Sequence, residues 1–173
     1  MRHVVVVPFR DEWKRTYEKE AGRLSHTLHP LITAVHHIGG TAVPGMAAQP
    51  TIDLLAEVGD LNEVDKKNEA MAKIGYRAFG EHGIRGRRYF CKTDAEDNHL
   101  AHVHIFSAGS EEVIRHLAFR DYLASHEEDA DFYGRLKLEL AAQFPYDIES
   151  YRIGKNAAAE KIENLALQWW YSE

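Results

Sequence analysis

Thiol is scarce in this chain: Cys91 is the one cysteine, so an intrachain disulfide is excluded. That composition fits a reducing compartment. Long apolar runs are missing too. The run Val4–Val7 is too short for a signal core, and Asp11 and Glu12 follow closely. No stretch approaches the roughly 20 apolar residues of a membrane span, so no membrane partner is expected and the chain reads as cytoplasmic. Positive charge is also in deficit: 21 Lys and Arg against 27 Asp and Glu give a formal charge of -6. A pI near 6.0 argues against nucleic acid as a partner. Repeats, low-complexity segments and long linkers are absent. At 173 residues and 45% hydrophobic content, one domain (1–173) with a full core is expected. Nothing in the composition speaks to oligomeric state.

Two familiar phosphate motifs are absent as well. No Gly-Lys-Ser/Thr follows Gly39-Gly40, so there is no P-loop. Gly39, Gly40 and Gly45 lack the spacing of a dinucleotide fingerprint. No Ser-His-Asp or Cys-His nucleophile spacing stands out.

The chemistry that is present begins in HIGGTAVPGMAAQPTID, His37 to Asp53. The spacing predicts strands over 33–38 and 51–58, joined by the Gly39-Gly40-Thr41 turn. Adjacent glycines let a backbone approach a ligand closely and present N–H groups to an anion; a tight connection between core strands is the plainer reading. Asp53 is a lone acid in an apolar strand, so it must be paired, solvated or bound to a metal. Other strands are expected over 3–8, 76–79, 88–93 and 101–106. Helices are expected over 11–29 and 62–74, and from Ser110, a helix-capping residue, to the end with breaks near His126 and Pro145. The sheet core thus falls at about 1–107 and the helical part at about 110–173.

Within the strand 101–106, His102 and His104 flank Val103. Alternation puts both imidazoles on one face, roughly 6–7 Å apart at Cα. There they suit a metal or a phosphate, or a hydrogen-bonded polar face. His99 reads as a solvent-facing loop residue and Cys91 as a core residue. The turn EHGIRGRR brings Arg87 and Arg88 together on flexible backbone, suited to anionic oxygens. They should point to opposite faces, so one of them can reach a shared cleft. Glu81 is open to three roles: metal ligand, base, or arginine partner. Arg120, Lys137 and Lys155 are lone cations among apolar helix positions, where snorkelling is the ordinary alternative to ligand binding.

Taken in order, HIGGTAVPGMAAQPTID, GEHGIRGRRYF, HVHIF, RHLAFRDYLASH and YRIGK resemble the GrpB family. These are small bacterial proteins of the nucleotidyltransferase superfamily, whose module also occurs fused to dephospho-CoA kinase. The resemblance runs from the first strand to about Ile162. It implies an α/β (α+β) fold, a nucleotidyltransferase-like mixed β-sheet flanked by helices, with a helical C-terminal extension. It also implies a site: a glycine turn that holds nucleotide phosphates, then a strand with two metal-binding acids. Gly39, Gly40 and Thr41 match the turn, and Asp53 matches the first acid. The second acid position is Leu55, and Glu57 lies roughly 13 Å along the strand, too far for one metal. A set of Asp53, His102 and His104 would favour a softer divalent ion, manganese, zinc or iron, over magnesium.

The expected function is therefore a nucleotidyltransferase-like protein that binds or acts on a nucleotide or other phosphate-bearing small molecule. Asp53, His102, His104 and Glu81 are its candidate catalytic residues. Gly39, Gly40, Thr41, Arg87, Arg88, Arg120, Lys137 and Lys155 are its candidate phosphate ligands. A non-catalytic nucleotide- or coenzyme-binding module and a mononuclear metal phosphoesterase are the competing expectations.

Overall fold

The computed structural model describes residues 2–172. They cluster into two compact units. The sheet unit takes Glu12–Ile38 and Thr51–Ile114. The helical unit takes the residues up to Asp11, Gly39–Pro50, and the chain from Arg115 onwards.

In the sheet unit, α1 (Glu12–Leu28) is followed by β1 (Ile32–Ile38), β2 (Ile52–Val58), α2 (Leu61–Asp65), α3 (Asn68–Lys73), β3 (Tyr76–Ala78), β4 (Arg88–Thr93) and β5 (His99–Ser107). The five strands form one mixed sheet in the order β1-β2-β5-β4-β3. The β2–β5 pair is parallel and the other three pairs are antiparallel. One face is the apolar core. It is built from Leu54 and Ala56 of β2, Val103 and Ile105 of β5, and Phe90 of β4, all buried. Helix α1 lies on this face: Tyr17 stacks on His37 of β1, with ring centroids 4.6 Å apart. The opposite face carries Asp53, His102, His104 and Tyr89, because in-register neighbours share a face.

A buried charge sits in the apolar side of this unit. Glu20 of α1 is 6% exposed. It accepts from Tyr76 Oη at 2.7 Å and from Lys92 Nζ at 3.1 and 3.2 Å, and Arg23 adds a contact at 3.3 Å. A buried carboxylate is tolerated only with such partners.

The helical unit contains most of α4 (Glu111–Ser125), with α5 (Glu127–Gln143) and α6 (Ile148–Tyr171). Its core gathers Tyr122, Tyr133, Ile162 and Ala166 with Val43 and Met46 from the 39–50 segment. Trp169 and Trp170 pack against it. Gly154 lets α5 and α6 approach closely: a Cβ there would stand 2.7 Å from Leu140 Cδ2.

Three local expectations are corrected. The 3–8 segment makes one isolated bridge, Val7 to Ala48, in place of a strand. Pro8 has no N–H with which to extend it. The helix expected over 62–74 splits into α2 and α3. At Lys66 and Lys67 the backbone bonds tighten to three-residue closures onto Glu63 and Val64, a 3₁₀-like turn that interrupts the ladder. Ser110 does not cap α4 with its hydroxyl, which is buried without a hydrogen-bond partner; the backbone bond from Ile114 N to Ser110 O serves instead.

Lys92→Met should cost about 2 kcal/mol, the scale of a hydrogen bond to a charged group, because it removes two contacts from buried Glu20. Urea unfolding at neutral pH measures this. A variant as stable as the parent would show that Tyr76 and Arg23 satisfy the carboxylate alone.

Candidate functional site

In the sheet unit the parallel register sets Asp53 opposite His102 and Leu55 opposite His104. Asp53 Oδ1 therefore lies between the two rings, 3.5 Å from His102 Nδ1 and 3.4 Å from His104 Nε2. Arg87 completes the group, with Nη1 3.3 Å from His104 Nδ1. A guanidinium only donates. His104 Nδ1 must accept from it, which leaves the Nε2–H of that ring to face Asp53. Arg87 is itself held by its Nε on Glu81 O (3.2 Å) and its Nη2 on His82 O (2.9 Å). Its guanidinium lies 4.8 Å from the Tyr89 ring centroid.

The charges of this group support one another. Burial opposes a charged Asp53, but hydrogen bonds from His102 and His104 outweigh it and hold the carboxyl below the usual range. Burial also opposes the His102 imidazolium, yet hydrogen bonds to Asp53 and Cys91 prevail and raise it to about 9. At neutral pH the protein thus holds an imidazolium against a carboxylate, with a second imidazole and a guanidinium alongside.

The other expected residues of this unit go elsewhere. Arg88 pairs with Asp65 at 2.7 and 3.3 Å. Glu81 accepts from Gly86 N at 2.6 Å and closes its own loop. Glu57 binds His36 Nε2 at 2.7 Å and Gly109 N at 2.9 Å. Burial pushes its carboxyl up, but these two hydrogen bonds bring it below the ordinary value.

The helical unit holds Gly39, Gly40, Thr41, Arg120, Lys137 and Lys155. Gly39 has a φ of 75°. A Cβ on Gly40 would stand 2.8 Å from Ala48 Cβ and 3.0 Å from Lys137 Nζ. Only glycine fits there without a shift, and the space it leaves is taken by an ammonium. Lys137 is 4% exposed, with Nζ 4.5 Å from the Tyr133 ring centroid. Thr41 beside it is buried. Arg120 binds Asp121 at 2.8 Å, and Lys155 Nζ lies 5.6 Å from the Tyr151 ring centroid.

Two residues escaped the sequence reading. Strand β5 starts at His99, which the sequence placed in a loop. His99 Nδ1 lies 2.7 Å from His102 Nε2 and 3.5 Å from Cys91 Sγ. In a regular strand, residues three apart point to opposite faces. Here the register shifts between Lys92, opposite Ala101, and Thr93, opposite His99. The extra residue, Leu100, flips His99 onto the face of His102 and Cys91. The donor atoms of Cys91, His99 and His102 all lie within 4.8 Å of one another, a spacing able to hold a metal ion. Asp53 and His104 are not part of that group.

The GrpB protein family profile matches residues 3–165. The chain belongs to the GrpB family. Among GrpB relatives, the UPF0157 protein YqkA of Bacillus subtilis is 41% identical over 97% of this chain, and the chain spans 48% of YqkA's length. The glutamate-rich protein GrpB of Alkalihalophilus pseudofirmus is 32% identical over 93% of the chain and 94% of its own length. The crystal structure of the conserved protein GrpB from Enterococcus faecalis superposes with a TM-score of 0.93 at 38% identity, covering 97% of this chain and 100% of that one. The five-stranded sheet and its helices are therefore a GrpB fold. Among the described residues, no helix is long and apolar enough to cross a membrane.

The His102–Asp53 pair makes the stability of chelator-treated protein depend on pH. A histidine raised from 6.5 to about 9 by folding adds stability that is complete below pH 6.5 and is lost as pH rises through 9. Urea midpoints should fall over that window, and Asp53→Asn should flatten the fall. An equally steep fall in Asp53→Asn would assign it to another group.

Proposed function

We propose that this GrpB protein binds a nucleotide or another phosphate-bearing small molecule, with the Gly39–Thr41 turn and Lys137 as the phosphate-holding element. The observation that carries this reading is the buried Lys137 ammonium against Gly40. A cation beside a side-chain-free stretch of backbone is the chemistry that receives phosphate oxygens. Arg88 and Arg120 are engaged by Asp65 and Asp121 and have less to offer an anion.

In the sheet unit, Asp53, His102 and His104 form a cluster with proton-transfer chemistry of its own. His102 is the acid, and Asp53 holds it in its charged form. The geometry does not favour two-metal nucleotidyl transfer. That reaction needs closely spaced oxygen ligands, and the residue two beyond Asp53 is Leu55, fully buried. For the same reason magnesium is a poor fit. The Leu55 position also favours a second reading: a module that binds its nucleotide or coenzyme without turning it over.

Thermal shift and calorimetric titration against nucleoside mono-, di- and triphosphates, coenzyme A precursors and inorganic phosphate test both readings, with and without chelator. At least one phosphate ligand should stabilise the protein, and Lys137→Met should weaken it tenfold or more, about 1.4 kcal/mol. A panel with no response, or equal affinity in Lys137→Met, would remove the phosphate reading. Turnover lost in Asp53→Asn favours the enzyme; saturable binding without turnover favours the module.

A further inference from the structure

We propose that Cys91, His99 and His102 form a zinc site in the sheet unit, with Asp53 as the carboxylate that orients His102. This goes beyond the phosphate reading, in which Cys91 and His99 have no part.

The donor set is one thiolate and two imidazoles. Such ligands suit zinc and exclude magnesium and calcium, which take oxygen. The arrangement is already close to what an ion needs. His99 Nδ1 and Cys91 Sγ are 3.5 Å apart, and His99 Nδ1 and His102 Nε2 are 2.7 Å apart. The latter contact requires a proton between two ring nitrogens. His102 Nδ1 faces the Asp53 carboxylate, and the proton of the second contact sits on either His99 Nδ1 or His102 Nε2. A zinc ion takes the place of the shared proton, the two ring nitrogens part by about 0.6 Å to tetrahedral spacing, and zinc-bound His102 is then a ligand in place of the acid of the phosphate reading.

Asp53 then has the role that carboxylates commonly have behind metal-bound histidines: it accepts from the remote ring N–H, fixes the tautomer and raises ligand basicity. The backbone supports the set as well. Cys91 lies directly opposite His102 in the β4–β5 pair, and the register shift at Lys92 and Thr93 brings His99 to the same face. Cys91 is buried whereas His99 and His102 are half-buried, so an ion has a path from solvent. Three protein ligands leave a fourth position for water or an external ligand.

The test uses the full chain, stripped with chelator and titrated with cobalt and then zinc in the absence of any phosphate compound. One equivalent of cobalt should produce thiolate-to-cobalt charge-transfer absorption in the near ultraviolet, and zinc should abolish it. Cys91→Ser should lose that absorption. His99→Ala, at a half-buried position where folding is safer, should weaken zinc binding at least tenfold. Asp53→Asn should weaken it ten- to a hundredfold, the usual effect of losing a supporting carboxylate. Folded wild-type protein that takes up no zinc at micromolar concentration would overturn the site. So would cobalt binding without the thiolate band, or zinc affinity unchanged in His99→Ala. Because the titration contains no phosphate ligand, its failure leaves the Lys137 reading standing, and a silent nucleotide panel leaves the zinc site standing.

Discussion

In the sheet unit, β2 and β5 run parallel in a register that sets Asp53 beside His102 and Leu55 beside His104. Side chains alternate along a strand, so a slip of one residue would carry every one of these groups to the other face. The apolar set Leu54, Ala56, Val103 and Ile105 forbids that slip, since all four must stay buried. The polar cluster is thus positioned by the hydrophobic residues between its members. Asp53, His102 and His104 meet because the residues next to them in sequence belong to the core.

The two faces of this sheet handle charge differently. On the α1 side, Glu20 is closed off with Tyr76, Lys92 and Arg23 around it. Every partner is a donor, so the carboxylate is satisfied and the arrangement is structural. On the other side, Asp53 joins two imidazoles, and proton position is the variable quantity. His102 holds a proton that it can yield, and His104 has its tautomer set by Arg87. That difference in chemistry, rather than depth of burial, separates a stabilising network from a candidate site.

Much of this was legible in the chain. The alternation of His102, Val103, His104 and Ile105 was enough to place both rings on one face, and Gly39-Gly40 marked the turn beside Lys137. Strands β1, β2, β4 and β5 and the long helices were readable because their apolar periods are regular. The exceptions share a cause. Helices α2 and α3 read as one because a 3₁₀-like turn leaves the apolar period nearly intact. Segment 3–8 read as a strand because β-branched residues favour extended backbone, but a strand needs a continuous partner edge, and this one has a single bridge to Ala48 and one bond from Val4 N to Pro145 O. Alternation allowed one of Arg87 and Arg88 to reach a shared cleft without saying which; Arg87 meets His104, and Arg88 pairs with Asp65.

The sequence by itself determined the family, the sheet with its helices, and the residue types available for chemistry, because these follow from local periodicity and from motifs in fixed order. The tertiary structure decided which of those residues meet. Lys137 reaches Gly40 across nearly a hundred residues because the turn is bare of side chains and the ammonium fills the space. His99 joins Cys91 and His102 because one extra residue in β5 reverses its direction. Neither contact has a signature in the order of amino acids: the first depends on how helices pack, and the second on the register between two strands.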